Sequence, residues 1–349
     1  MARPRARDFG VEFGRLQPGR LNAITDVNGV GVGHVTVIEG NDIRTGVTAI
    51  VPHKGDIFER KASAAVDVFN AYGKSTGLTQ IMYEGVIETP IMLTETLNTW
   101  RVADAVLDYF PVGYDRKPGS LNPIVGETNG RFLTDNVNRR IGPKEVFTAI
   151  DKARGNVGLE VGEGCVGGGT PMTGYGLKGG IGTASRITNG ITVGALVQLN
   201  CGEMKDLMIT GVPVGKELQL APPQPSPGNS IMMIIATDIK LDSRQLMKLA
   251  KRAILGLART GSYGGNFSGD FTISFSTSEK TVEESFGSSL AGDSFLSPLY
   301  HATVEATEEA VINALFKAET MWGYEGHVRQ ALPLDQVREI FNNYGRKLP

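Results

Sequence analysis

Along this chain, apolar and polar positions change character most sharply at residue 230. Positions 231–236 are an unbroken apolar run with the length and β-branching of a buried strand. The run is entered from Ala221-Pro-Pro-Gln-Pro-Ser-Pro-Gly-Asn-Ser230, whose four prolines hold the backbone extended and strip it of donors, so this piece reads as an exposed connector. Ser230 therefore stands at the seam between a loop and a core strand, where a hydroxyl is both reachable and firmly aimed.

The remaining pattern predicts short β segments broken by glycine at 22–27, 30–38 and 46–51. Residues 58–72 have helical spacing, with Ala62, Ala65, Val66 and Phe69 on one face. Helices are predicted at about 98–109 and from Pro143, a residue suited to the first helical turn, to about 153. Glycine density peaks over 155–190, and a strand follows at 191–199. Asp242 is placed to cap a helix reaching about residue 260. A loop over 261–270, a strand over 271–277 and helices at 303–322 and 334–343 complete the chain. Strands fall in groups and helices in groups, without the regular alternation of a doubly wound sheet, which favours layered α+β.

Composition narrows the class. The 349 residues carry a 41% apolar and 21% charged make-up, ordinary for a globular protein able to bury a substantial core. A formal net charge of −2 argues against nucleic acid as the main partner. The basic start lacks the apolar stretch of a secretory signal, and no apolar run approaches bilayer length, so no membrane partner is expected and a cytoplasmic location is. Cys165 and Cys201 stand apart, without metal-type pairing, and read as two buried reduced thiols with no metal site.

Two glycine motifs are weak. Gly73-Lys-Ser75-Thr-Gly77 has the literal form of a nucleophile elbow, which needs a strand before it and a helix after it, whereas a helix is predicted before it. Gly174-Tyr-Gly176-Leu-Lys-Gly179 has the form of a dinucleotide fingerprint without the strand, helix and acidic residue that give the form meaning. The four histidines, His34, His53, His301 and His327, sit in no triad pattern, so a serine nucleophile here would lack an imidazole base. A serine that is first in its chain can use its own α-amine, of pKa about 7.7–8.0, instead. On composition alone, Asn229-Ser230 is ordinary turn chemistry.

Six ordered blocks change that balance: Asn22-Ala-Ile-Thr-Asp-Val-Asn-Gly-Val-Gly-Val-Gly-His34, Gly126-Glu-Thr-Asn-Gly130, Lys178-Gly-Gly-Ile-Gly-Thr-Ala-Ser-Arg186, Val193-Gly-Ala-Leu-Val-Gln-Leu-Asn200, Gly228-Asn-Ser-Ile-Met-Met-Ile-Ile-Ala-Thr-Asp238 and Gly256-Leu-Ala-Arg-Thr-Gly-Ser262. Together they resemble the L-aminopeptidase/D-Ala-esterase/amidase family, which includes the β-peptidyl aminopeptidases. The resemblance implies a four-layer α/β/β/α sandwich, one domain cut by itself into 1–229 and 230–349, and assembly as a homo-oligomer, typically a tetramer. It implies Ser230 as nucleophile after cleavage of the Asn229–Ser230 bond, with Ser268 and Asp270 tuning the new amine. It also implies Asn200 as an oxyanion donor, Glu127 as the group that holds a substrate's ammonium, and no cofactor. The substrate it implies is a short peptide or an amino-acid amide or ester. Pro171, in Gly167-Gly-Gly-Thr-Pro-Met172, departs from the small residue expected there and bears on substrate preference. The alternatives are an acyl transferase of the ornithine acetyltransferase type, which uses threonine at the cut, and a non-enzymatic nucleotide-binding module on 164–182.

Overall fold

The computed structural model describes residues 3–110, 119–225, 229–279, 284 and 295–348. Ser226, Pro227 and Gly228 of the proline connector, and the first two residues of the basic start, lie outside them. In chain order the elements are β1 (Gly31–Glu39), β2 (Ile43–Val51), β3 (Ala62–Ala71), α1 (Leu78–Glu84), β4 (Val86–Ile87), β5 (Ile91–Glu95), α2 (Thr99–Tyr109), β6 (Ile124–Thr128), α3 (Pro143–Gly155), β7 (Thr173–Gly174) and β8 (Leu177–Lys178). Then come β9 (Gly180–Thr188), β10 (Ile191–Asn200), α4 (Val214–Glu217), β11 (Ser230–Thr237), α5 (Ser243–Arg259), β12 (Gly269–Ser276), α6 (Leu296–Lys317), β13 (Met321–Trp322), β14 (Val328–Arg329) and α7 (Leu334–Asn343).

Two sheets carry the fold. The smaller runs β1-β2-β5-β6 and the larger β4-β3-β12-β11-β10-β9. β5 pairs with β6, and β11 with β12, in parallel, while the other neighbours are antiparallel. Three cores separate the layers. Val32, Ile50 and Leu93 of the small sheet meet Val66, Leu196, Ile234 and Phe275 of the large one. On the outer face of the small sheet Val47, Ala49 and Val125 pack on Val102 and Val106 of α2 and Val146 and Ile150 of α3. On the outer face of the large sheet Val193, Val197, Met233 and Ile235 pack on Leu246 and Leu249 of α5 and Ala306 and Ala310 of α6. The order is helix, sheet, sheet, helix: an α+β sandwich of four layers, as expected. Among the described residues no helix is long and apolar enough to cross a membrane.

Strand β11 is covered on both faces, which is why its sequence is continuously apolar rather than alternating. Its odd positions, Ile231, Met233 and Ile235, face the helices, and its even ones, Met232, Ile234 and Ala236, face the other sheet. The helices α2, α3, α5 and α7 fall close to their predicted bounds, with Asp242 accepting from the Gln245 N–H at 2.7 Å as the N-cap of α5. α6 begins earlier and ends earlier than predicted, at Leu296 and Lys317.

Three predictions of local structure are corrected. Residues 58–72 hold the ten-residue strand β3 rather than a helix. Ala62, Ala64, Val66 and Val68, at a period of two, face the other sheet, while Ala65 joins the opposite core. The segment at 22–27 contains a single tight turn of helix, Ile24–Asp26, held by the Asp26 carboxylate on the Leu21 and Ala23 N–H groups at 2.9 and 3.1 Å. Cys201 is buried, but Cys165 is only half-buried; both are free.

Candidate active site

Strand order brings the singled-out residues to one end of the large sheet. β10 ends at Asn200 and its antiparallel partner β11 begins at Ser230, so these two residues are direct register partners. β12 runs parallel to β11, which puts Asp270 beside Ile231, and antiparallel β3 returns Asn70 opposite Asp270. A β-bulge between Asp270 and Phe271 marks this corner.

Ser230 is buried, and its Oγ accepts the Gly269 N–H at 3.0 Å. The Ser268 hydroxyl touches two acceptors, the Asn229 carbonyl and the Asp270 Oδ1, the latter at 2.5 Å. Burial pushes the Asp270 carboxyl above the ordinary aspartate range, against the opposing hydrogen bonds from Ser268, Asn70 and the Ile231 backbone. The Asn70 amide donates to the Asp270 Oδ2 at 3.0 Å and to the Gly264 carbonyl at 3.1 Å. The Asn200 side chain accepts the Thr173 N–H at 2.8 Å and donates to the Asn129 carbonyl at 3.0 Å, so one of its two amide hydrogens has no acceptor among the described residues. The Asn229 side chain accepts the Gly202 N–H at 2.8 Å.

Glu127, at the end of β6, accepts from the Lys74 N–H at 2.6 Å and from the Thr96 hydroxyl. Beside it in the small sheet, burial lifts the Glu95 carboxyl to about 7, with hydrogen bonds from Asn136 and Leu97 opposing. A cavity of about 500 Å³ joins Glu127 to Ser230 and is walled by Lys74, Thr96, Asn129, Tyr263 and Phe267. A second, of about 640 Å³, lies under the proline connector and contains Asn200, Gly202 and Arg329. Asn229 lines both, and Ser230 lines the first.

The structure thus gathers Ser230, Ser268, Asp270, Asn200, Asn229 and Glu127 around one peptide bond. Pro171 is buried against Gly130, next to the cavity residue Asn129. Sequence reasoning missed Asn70, Thr96, Asn129 and Lys74. Lys74 carried a signal as part of the glycine motif set aside above, and Asn129 as part of the block Gly126-Glu-Thr-Asn-Gly130. The glycine motif does lie between a strand, β3, and a helix, α1, so the reason given for setting it aside is corrected. The Ser75 hydroxyl nevertheless meets only the Met232 sulfur, at 3.6 Å, with no base in reach among the described residues.

The glycine stretch 174–179 is a tight β7–β8 hairpin rather than a phosphate loop. The fully buried Lys178 ammonium spends its donors on the carbonyls of Gly169, Met172 and Gly179 at 2.8–3.3 Å, which leaves none for a phosphate. None of the four histidines lines either cavity. His34 is drawn down to about 4 by burial and by Lys152.

A layered α+β frame with a seryl hydroxyl opening a central strand defines a hydrolase of the N-terminal-nucleophile type. The chain belongs to peptidase family S58, whose model matches residues 22–329. It is 39% identical to the β-peptidyl aminopeptidase BapA of Sphingosinicella xenopeptidilytica, over 97% of this chain and 91% of that one. Among solved structures it is similar to the PH0078 protein of Pyrococcus horikoshii, at 45% identity and a TM-score of 0.88, covering 98% of this chain and 100% of that one. It is also similar to the L-aminopeptidase D-Ala-esterase/amidase of Ochrobactrum anthropi, at 37% identity and a TM-score of 0.87, covering 98% and 99%. The latter is described as a prototype of the serine aminopeptidases and a variant of the Ntn hydrolase fold.

Proposed function

We propose that this protein is a self-processing serine aminopeptidase and amidase, cutting its own chain before Ser230 and then releasing N-terminal residues from short peptides, amino-acid amides or esters. The observation that carries the reading is the contact of the Ser268 hydroxyl with both the Asn229 carbonyl and the Asp270 carboxyl, beside the Ser230 hydroxyl. In self-cleavage the Ser230 oxygen attacks the Asn229 carbonyl carbon, the C–N bond breaks, and water hydrolyses the resulting ester. The products are a carboxylate on Asn229 and a free α-amine on Ser230.

That amine is the base for the second reaction. Ser230 attacks the substrate carbonyl, the amine takes its proton and passes it to the leaving group, and water releases the acyl group. Asn200, the register partner of Ser230, has a free amide hydrogen to donate to the developing oxyanion, a donor whose loss costs roughly 2.7–4 kcal/mol in the barrier. Glu127, reached through the same cavity, holds the substrate ammonium by a charge-assisted bond. A homotetrameric, cytoplasmic enzyme belongs to the same reading and rests on the resemblance and the sequence alone.

Denaturing intact-mass spectrometry of the wild type beside Ser230→Ala tests it. The wild type is expected as two chains with a new terminus at Ser230, and the variant as one. A wild type that stays whole after prolonged incubation refutes the mechanism.

A further inference from the structure

The second cavity contains a cation with no carboxylate partner among the described residues. Arg329 ends β14 and is 2% exposed. Its guanidinium stacks on the Phe132 ring, 3.5 Å from the centroid, and its Nη2 donates to the Gln224 carbonyl at 2.6 Å. That is its one hydrogen bond among the described residues, and its buried Nε has no acceptor. A guanidinium carries five donors, and buried ones are normally met by carboxylate or carbonyl oxygens. No carboxylate pairs with it among the described residues, and burial alone draws its pKa down to about 10. The other charged groups lining this cavity, Glu203 and Lys205, pair with each other at 3.2 Å. The cavity therefore presents one net positive charge, on a side chain held rigid by a ring and a carbonyl.

Its position gives that charge a meaning. Asn229 borders both cavities, with Glu127 in one and Arg329 in the other. A substrate held by its ammonium at Glu127 and by its reacting carbonyl at Ser230 has its leaving group directed past Asn200 into the second cavity. At about 640 Å³ that cavity is of a size for one or two residues. We propose that Arg329 anchors a carboxylate on the leaving-group side, so that short peptides with a free C-terminus, held at both ends, are the preferred substrates over amides and esters. This rests on the peptidase reading and names its substrate class.

The test compares a dipeptide with the same dipeptide amidated at its C-terminus, on the processed enzyme. Wild type is expected to favour the free acid in kcat/KM by about 10- to 100-fold, the range of one charge-assisted pair. Arg329→Gln is expected to raise KM for the acid by that factor and leave the constants for the amide in place, and Arg329→Lys to restore part of the preference. Equal turnover of acid and amide by wild type overturns the proposal and leaves the peptidase reading standing, and this arm needs no variant to fold. An equal loss on both substrates in Arg329→Gln also overturns it, making Arg329 a structural clasp on the proline connector. So does a variant that treats both substrates as wild type does while its processed form melts earlier than the uncleaved Ser230→Ala form carrying the same change. The site would then serve the new carboxylate of Asn229. A processed wild type that cleaves no peptide counts against the peptidase reading itself, and the proposal falls with it.

Discussion

A hydroxyl has one proton, and Ser268 touches two acceptors. If Asp270 is ionised, the proton belongs to the carboxylate and the Asn229 carbonyl receives nothing. If Asp270 is protonated, it donates to Ser268, and Ser268 can donate onward to the carbonyl that self-cleavage must polarise. Burial raises the Asp270 pKa, which enlarges the range of pH in which the second arrangement holds. Asp270→Asn supplies an amide donor in the same place, with its oxygen left for Asn70, and is expected to keep self-cleavage. Asp270→Ala leaves the Ser268 proton to the Asn229 carbonyl but removes the group that holds the hydroxyl in place, and is expected to slow cleavage by roughly 10²-fold, the cost of a misplaced catalytic group. The asparagine does not titrate and the acid does, so the ratio of wild-type to Asp270→Asn rate should climb as pH falls through the Asp270 pKa. A time course of chain cleavage by gel, at several pH values, reads both effects. A ratio that falls as pH falls would mean that Asp270 acts as a carboxylate, and would overturn this arrangement.

At the scale of elements the fold depends on how closely α6 lies on the large sheet. Gly182 of β9 faces that helix, and a Cβ built on it would stand 1.9 Å from the Ala310 carbonyl and 2.6 Å from the Ala314 backbone nitrogen. Both are backbone atoms, which cannot rotate away, so α6 itself would have to shift. Gly182→Ala is expected to cost about 1–3 kcal/mol, the usual penalty for overpacking, read as a lower denaturant midpoint at unchanged slope. The same element shows what the sequence could convey. Helices with a cap and one apolar stripe, such as α5 behind Asp242, were legible because local pattern and tertiary burial agree. β3 was not, since Ala62, Ala65, Val66 and Phe69 satisfy a helical period by coincidence while Phe69 is half exposed, at 52%. In a strand covered on both faces, alternation fades and small residues fit either period. The site was legible only as residue identities in ordered blocks. Asn70 and Thr96 are single polar residues that acquire their place through strand pairing, and nothing local to them announces it, whereas Asn129 stands inside the block that carries Glu127. Ser75 was set aside for a helix that does not exist, although the surroundings of its hydroxyl do not favour it as a nucleophile.

The molecule as a whole decides what a cut at residue 229 would leave behind. β11 and β12, from the second piece, sit in the middle of the large sheet between β10 and β3, from the first. Separation would split that sheet and strip the hydrogen-bonding edges of both inner neighbours. It would also break an ion cluster that crosses the cut: buried Arg186 of β9 pairs with Glu305 and Glu309 of α6 at 3.0 and 2.7 Å. Removing one partner of a buried pair leaves an uncompensated charge, at about 3–5 kcal/mol. The basic start, which could have been mistaken for a binding tail, adds to this join. Arg3 donates to the carbonyls of Phe316 and Leu332 at 2.7 Å, and Arg7 to Glu309 at 2.9 Å, so these arginines fasten the first piece onto α6 and the segment beyond it. Only the core between the small sheet and α2 and α3 belongs to the first piece alone. The core between the sheets is drawn from both pieces, and so is that on the outer face of the large sheet, which helices of the second cover. Processed protein is therefore expected to run as one body in native mass spectrometry, both chains together, and to lose both in a single unfolding transition in denaturant. Two chains parting under native conditions would mean that the sheet can be opened at β11, and a nucleophile held at the start of that strand would have no fixed place from which to act.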